Sequence, residues 1–297
     1  MGRRKKLLRF VFITCAGLIA AVLTALTVMV VVFSVQSAQG SLHPLRRVPA
    51  RPPAEAGAPA YQEVTFETSD GILLSGWYAA PRAGQTRVIV LAHGYAGNRT
   101  MVLPQAAVLV CAGFGVLLFD FRAHGASAGA QVTFGDRERL DIRAAVDFAL
   151  AQPGVTSAAG LGFSMGAAAL AGAAAADPRL QAVVLEAAFP DLEAEMNYQA
   201  RLAGILSQLP TRLVLLQAGV RIAEVSPLRD LCAIQPRPVL LVYGGKDTFI
   251  PPGAAGRMQA AACASTSLWL LPQAGHESAA VSDPAEFARR VVPFLGQ

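Results

Sequence analysis

Ser164 stands in GLGFSMGAAA, between two glycines, directly after an apolar run and directly before a stretch of small residues. A serine hydroxyl is a poor nucleophile near neutral pH unless a base lies within hydrogen-bond reach. The pattern Gly-x-Ser-x-Gly suits a sharp turn from strand to helix, where the serine takes a strained conformation and Gly162 and Gly166 let neighbouring backbone close in. The helix that follows points its free N–H groups at the reacting centre. The chemistry is acyl transfer, with the hydroxyl attacking a carbonyl carbon. In a chain with 27 glycines the pentapeptide is weak by itself, so its partners decide the matter.

Four histidines are present. His43 lies in a Pro- and Arg-rich stretch, His93 and His124 precede the serine, and His276 alone follows it, in LPQAGHES. That loop comes straight after the apolar run SLWLLP, which puts His276 at the end of a strand as the expected base. A third group must hold the imidazole tautomer and stabilise its charged form. Asp247 follows PVLLVYGGKD, again at a strand end with Gly244 and Gly245 making the turn. It keeps the chain order nucleophile, acid, base. Glu186 is the competing carboxylate and reads as structural, while Asp177 and Asp191 read as helix-end residues. For the oxyanion, LAHGYAGN offers the backbone N–H of Tyr95, paired with that of Met165. His93 reads as a buttress of that loop.

These residues need a scaffold that ends several strands at one edge. YQEVTFET alternates with the period of a half-buried strand, Asp70-Gly71 supplies a turn, and ILLSGWYAA pairs back as a hairpin. Beyond it, RVIVLA, GVLLFD, AAGLGF, AVVLEA, PVLLVY and SLWLLP are short apolar runs suited to a parallel sheet buried on both faces. Helical stretches such as MVLPQAAVLVCA, DRERLDIRAAVDFALA and MGAAALAGAAAA separate them. The expected fold class is α/β, one doubly wound domain over 61–297 with ligands at the carboxyl ends of the strands. Residues 190–226 break the rhythm, with a helical period at Leu202, Ile205, Leu206, Leu209, Leu213 and Leu216. Two readings stay open for this segment, an inserted helical cap or a long crossover helix pair.

The front of the chain differs in kind. MGRRKKLLRF places five basic residues ahead of an uncharged run from Phe10 to Phe33. That run reaches ~36 Å as a helix, enough to cross a bilayer. Residues 1–35 are expected to form a transmembrane signal anchor, being longer than a usual secretory core, although Ala38-Gln39-Gly40 offers a small-x-small site for a cleaved signal peptide. The basic flank predicts a cytoplasmic N-terminus and an extracytoplasmic domain, because only Arg46, Arg47 and Arg51 follow the span closely. Residues 36–60, rich in Pro, Ala and Arg, read as a linker. The formal charge of +5 is carried by the first nine residues, and the rest balances 20 basic against 20 acidic side chains. No basic patch calls for a nucleic-acid partner. Cys111, Cys232 and Cys263 have neither a disulfide-framework nor a zinc spacing. Cys111 is expected as a buried thiol, and one bridge is open to an exported domain.

Taken in order, HGYAGN, FDFRAHGASAG, GFSMG, GGKDTFIPP and GHE resemble the α/β-hydrolase superfamily over residues 61–297, and within it the Bem46-like and serine-aminopeptidase-like serine hydrolases. The resemblance implies Ser164, Asp247 and His276 as a triad with Tyr95 and Met165 as oxyanion donors. FDFRAHGASAG departs from the group's pattern in reading RAHG, and its Asp120, Arg122, His124 and Ser127 are taken as structural. The Ala-rich helix after Ser164 brings no further polar group to the site. No metal or organic cofactor is implied. The expected activity is a membrane-anchored serine hydrolase acting on an ester, thioester or amide through an acyl-enzyme, with a small-molecule or lipid acyl substrate favoured. Kept beside it are a peptidase or acyltransferase using the same triad, and an inactive binding protein on the same fold.

Overall fold

A computed structural model describes residues 2–49 and 61–297. A single helix, α1 (Gly2–Leu42), precedes the hairpin β1 (Gln62–Glu67) and β2 (Leu73–Ala79). There follow β3 (Arg87–Ala92), α2 (Leu103–Cys111), β4 (Gly115–Phe119), α3 (Glu138–Leu150), β5 (Ser157–Phe163), α4 (Met165–Ala176) and β6 (Leu180–Glu186). Next come α5 (Leu192–Gln199), α6 (Ile205–Gln217), α7 (Pro227–Ile234), β7 (Val239–Gly244), α8 (Ala254–Ala260), β8 (Thr266–Leu271), α9 (Ala279–Ser282) and α10 (Pro284–Leu295). The strands form one eight-stranded sheet in the order β1-β2-β4-β3-β5-β6-β7-β8. β2 pairs antiparallel with β1 and β4, and every later pairing is parallel.

The inner parallel strands are mostly apolar because both faces are covered, whereas the edge strand β8 buries only Trp269. Val88 to Ala92 and Val116 to Phe119 are fully buried. One face packs against α2, α9 and α10 through Leu109, Phe287 and Val291. The other packs against α3, α4, α7 and α8 through residues such as Ile142, Leu170, Leu231 and Met258. Helix α4 is almost all Ala and Gly because it is hemmed in by the sheet, α3 and α7, and only small side chains allow that approach.

FDFRAHGASAG builds the scaffold beneath the site. Asp120 is buried and accepts hydrogen bonds from the Arg99 N–H, the Arg99 guanidinium and the Ala126 N–H. Arg122 is shared between Asp141 and Asp70, and Ser127 donates to the Asp120 carbonyl. His124 accepts from the Ala96 N–H at Nε2.

Two expectations need correcting. Helix α1 runs past residue 35 to Leu42, through the first part of the expected linker. Nothing in VQSAQGSL breaks a helix until Pro44, and Ser34, Ala38 and Leu42 bury one stripe against the domain. Residues 43–47 are then held down: His43 donates to the Ala130 carbonyl at 2.8 Å, Arg46 to the carbonyls of Ser127 and Gly129, and Asn98 to the Arg47 carbonyl at 2.7 Å. The remainder of the linker, 50–60, lies outside the described residues. Cys111 is exposed rather than buried. On α2 the inner stripe is Gln105, Ala106, Leu109 and Val110, and Cys111 turns away from it. Cys232 and Cys263 form a disulfide with Cα atoms 5.6 Å apart.

Candidate active site

Ser164 caps α4 with φ 54° and ψ −119°, a left-handed conformation that a serine adopts only under constraint. The two glycines of the motif show what holds it there. A Cβ on Gly162 would stand 2.5 Å from the Gly166 carbonyl oxygen, and one on Gly166 would stand 2.4 Å from the Ala92 carbonyl oxygen. The Ser164 N–H is fixed by the Glu186 carbonyl at 2.8 Å. The hydroxyl is thereby presented at the carboxyl edge of the sheet, between the ends of β3 and β6.

The loops after β7 and β8 converge on the same edge. Gly244 and Gly245 let them touch, since a Cβ on Gly244 would lie 2.2 Å from the Gly275 carbonyl oxygen. His276 Nε2 is 3.1 Å from Ser164 Oγ, and His276 Nδ1 is 2.7 Å from Asp247 Oδ2. With Nδ1–H donated to the carboxylate, Nε2 is left as the acceptor for the serine proton. Asp247 is itself fixed by the Phe249 N–H, 2.8 Å from Oδ1, and its side chain is 3% exposed. The imidazole lies between the rings of Phe163 and Phe249, with centroids 5.0 and 5.2 Å away.

The loop after β3 runs beside Ser164. The Gly94 N–H faces Met101 Sδ and the Ala96 N–H donates to His124. Among the described residues, no acceptor is bonded to the N–H of Tyr95 or of Met165. His93 is fully buried, donating from Nδ1 to the Gly94 carbonyl and accepting at Nε2 from the Phe121 N–H. Burial holds it neutral, its pKa lowered to about 3. Glu186 is tied to Gln105 and to the Ala279 N–H, away from the imidazole, and burial pushes its carboxyl up to about 7. Asp177 and Asp191 cap helix ends.

Above Ser164 is a cavity of about 900 Å³. Residues 190–226 roof it with α5 and α6, contributing Leu192, Met196, Leu202 and Leu215. Sequence reasoning misses two parts of this lining. One is Glu195, whose carboxyl burial pushes up to about 7; Oε1 accepts from Gln199 at 2.7 Å and Oε2 has no partner among the described residues. In LEAEMNYQ it is indistinguishable from Glu193, which faces out and pairs with Arg212. The other is α1, whose Met29, Val30 and Phe33 form a wall. No local signal in an apolar run reports that one side of it touches a cavity.

Comparison with known proteins gives the family. The model of a family described as serine aminopeptidase, S33, matches residues 84–230. An uncharacterized protein of Mycobacterium tuberculosis is 32% identical over 284 residues, covering 95% of both chains. An uncharacterized protein of Bacillus subtilis is 24% identical over 233 residues, covering 76% of each. Among solved structures, an esterase of Pyrococcus furiosus superposes with a TM-score of 0.71 at 25% identity, over 86% of this chain and 97% of that one. A second, from Butyrivibrio proteoclasticus with ferulic acid bound, gives 0.63 at 18% identity, over 79% and 100%, and shares the fold. The chain belongs to the α/β-hydrolase superfamily, in one family with the mycobacterial protein, and is a hydrolase.

Proposed function

We propose that the protein is a membrane-anchored serine hydrolase that cleaves carboxylic esters through an acyl-enzyme, with Ser164 as nucleophile, His276 as general base and acid, and Asp247 orienting His276. The observation that carries this reading is the pair of contacts made by His276, 3.1 Å to Ser164 Oγ and 2.7 Å to Asp247 Oδ2. Ser164 Oγ attacks the carbonyl carbon while His276 Nε2 takes its proton. The oxyanion is held by the N–H groups of Tyr95 and Met165, each such donor contributing about 3 kcal/mol to the transition state. The carbon–oxygen bond breaks, the leaving alcohol takes the proton from His276, and water repeats the sequence to release the acid and restore the serine.

An ester is favoured over an amide by the cavity, which is apolar apart from a few side chains such as Glu195. Anchoring is supported by α1, 41 residues long, uncharged from Phe10 to Phe33 and solvent-exposed along that run up to Met29. The Cys232–Cys263 disulfide supports an oxidising compartment for the domain, the extracytoplasmic side.

The test is labelling of the full chain in detergent by a fluorophosphonate, beside Ser164→Ala and His276→Ala. Labelling that needs both residues supports the reading, and a folded wild-type chain that stays unlabelled overturns it.

A further inference from the structure

We infer that α1 forms part of the substrate site as well as the anchor, and that a long-chain acyl ester enters the cavity sideways from the bilayer. The inference rests on the proposed hydrolysis at Ser164 and adds the substrate class and its route.

The cavity follows α1. Its lining begins at Ser41, whose carbonyl accepts from the hydroxyl of Tyr95, a residue that lines the cavity with Ser164, and extends down the helix to Met29. Those twelve residues of rise amount to ~18 Å. Met29, Val30 and Phe33 belong to the uncharged run, so the far end of the cavity lies against the segment that spans the membrane. Two of the three serines on this wall are turned into the helix: Ser34 donates to the Val30 carbonyl at 2.8 Å and Ser41 to the Ala38 carbonyl at 2.7 Å, which leaves Ser37 as the polar group among Met29, Val30, Phe33 and Ala38. The head of an ester therefore meets Ser164 and Glu195 at one end, and its chain meets an apolar wall of helix at the other.

The cap has the surface such a route needs. Helix α6 packs along α1. Its outward side carries Ile205, Leu206, Leu209, Leu213 and Leu216, exposed by 68, 41, 49, 50 and 48%, with Leu202 just before it at 93%. Its one charged residue, Arg212, is engaged by Glu193. An apolar face of this extent is not left in water by a soluble monomer. Because α6 lies alongside the span, the occupant of its face is the lipid that surrounds α1, and α6 sits in the interface as an amphipathic helix does. Substrate dissolved in that leaflet reaches the cavity without crossing water.

The experiment uses the full chain in phosphatidylcholine vesicles. Nitrophenyl palmitate carried in the bilayer and nitrophenyl acetate in the aqueous phase are compared by kcat/KM, with fluorophosphonate labelling measured on the same samples. Ser37→Trp and Val30→Trp fill the α1 wall, and Leu209→Asp with Leu213→Asp charges the cap face. The palmitate-to-acetate ratio is expected to fall about tenfold or more in each, because binding far from the reacting bond is what they remove. Tryptophan in Leu209→Trp is expected to be quenched by brominated lipid. Labelled variants whose ratio stays within about twofold of wild type overturn lateral entry while leaving the hydrolase reading intact. A wild-type chain that is not labelled overturns both, and a mature chain that begins beyond residue 40 removes the α1 wall, overturning the inference and the anchoring with it while leaving hydrolysis at Ser164 standing.

Discussion

The Tyr95 hydroxyl donates to the Ser41 carbonyl at 3.0 Å, so the loop proposed to offer an oxyanion donor is fastened to the last turn of α1. Tyr95→Phe keeps the backbone N–H and loses only this tie. It is expected to lower stability by about 1 kcal/mol, read as a thermal shift, while the rate of fluorophosphonate labelling stays near wild type.

Asp247→Asn separates orientation from structure. The amide oxygen can still accept from the Phe249 N–H, which turns the NH2 toward His276 Nδ1. Nδ1 must then accept, the ring proton moves to Nε2, and the serine loses its base. The expected loss in kcat is on the order of 10³- to 10⁴-fold with little change in KM, measured with a soluble ester.

Glu186 gives the fold a pH dependence. Burial raises its carboxyl from 4.5 to about 7, so between those values the folded chain holds a proton that the unfolded chain has released. Its contribution falls as pH rises from about 4.5 to about 7 and changes little above, by up to about 3 kcal/mol. In Glu186→Gln the difference in melting temperature between pH 5 and pH 8 is expected to shrink. Gln105 can turn its unpartnered Oε1 toward the new amide, so the clamp on α9 is kept.

Gly166→Ala is expected to destabilise by about 2 kcal/mol or more, since its Cβ meets the carbonyl oxygens of Ala92 and His93 at 2.4 and 2.5 Å and backbone cannot step aside cheaply. Denaturant titration checks it, and labelling of Ser164 is expected to fall with it because the turn itself shifts.

Glu195→Leu probes the leaving group. Its Oε2 is buried with no partner among the described residues, and the side chain lines the cavity, so a small movement would bring it to a hydroxyl or amine of a bound substrate. The variant is expected to lose about tenfold in kcat/KM on esters of polyols relative to simple alkyl esters. An equal loss on both would remove Glu195 from the recognition of the leaving group.

The strands were legible because a parallel sheet buried on both faces leaves apolar runs of fixed length, and β3 to β7 are such runs, while the edge strand β8 is a further apolar run in which only Trp269 is buried. The positions of Ser164, Asp247 and His276 were legible for a related reason: each follows one of those runs, and strand ends meet at one edge. The cap was half legible. Its period of leucines marks an apolar face, and periodicity carries no information about what that face meets; Leu209 and Leu213 point away from the sheet. Glu195 and Cys111 were not legible, since the side of a short helix on which a residue falls is decided by neighbours far away in the chain.

The fastening of residues 43–47 across the loops at 98 and 127–130 sets the mechanics of the whole molecule. A catalytic head on a slack tether can sweep a volume and reach substrates some way from its anchor point. Here the chain after α1 is tied to the domain at His43, Arg46 and Arg47, directly beyond the helix. If α1 spans a bilayer as proposed, these ties hold the serine at a set height above it, and its radius of action is the width of the molecule.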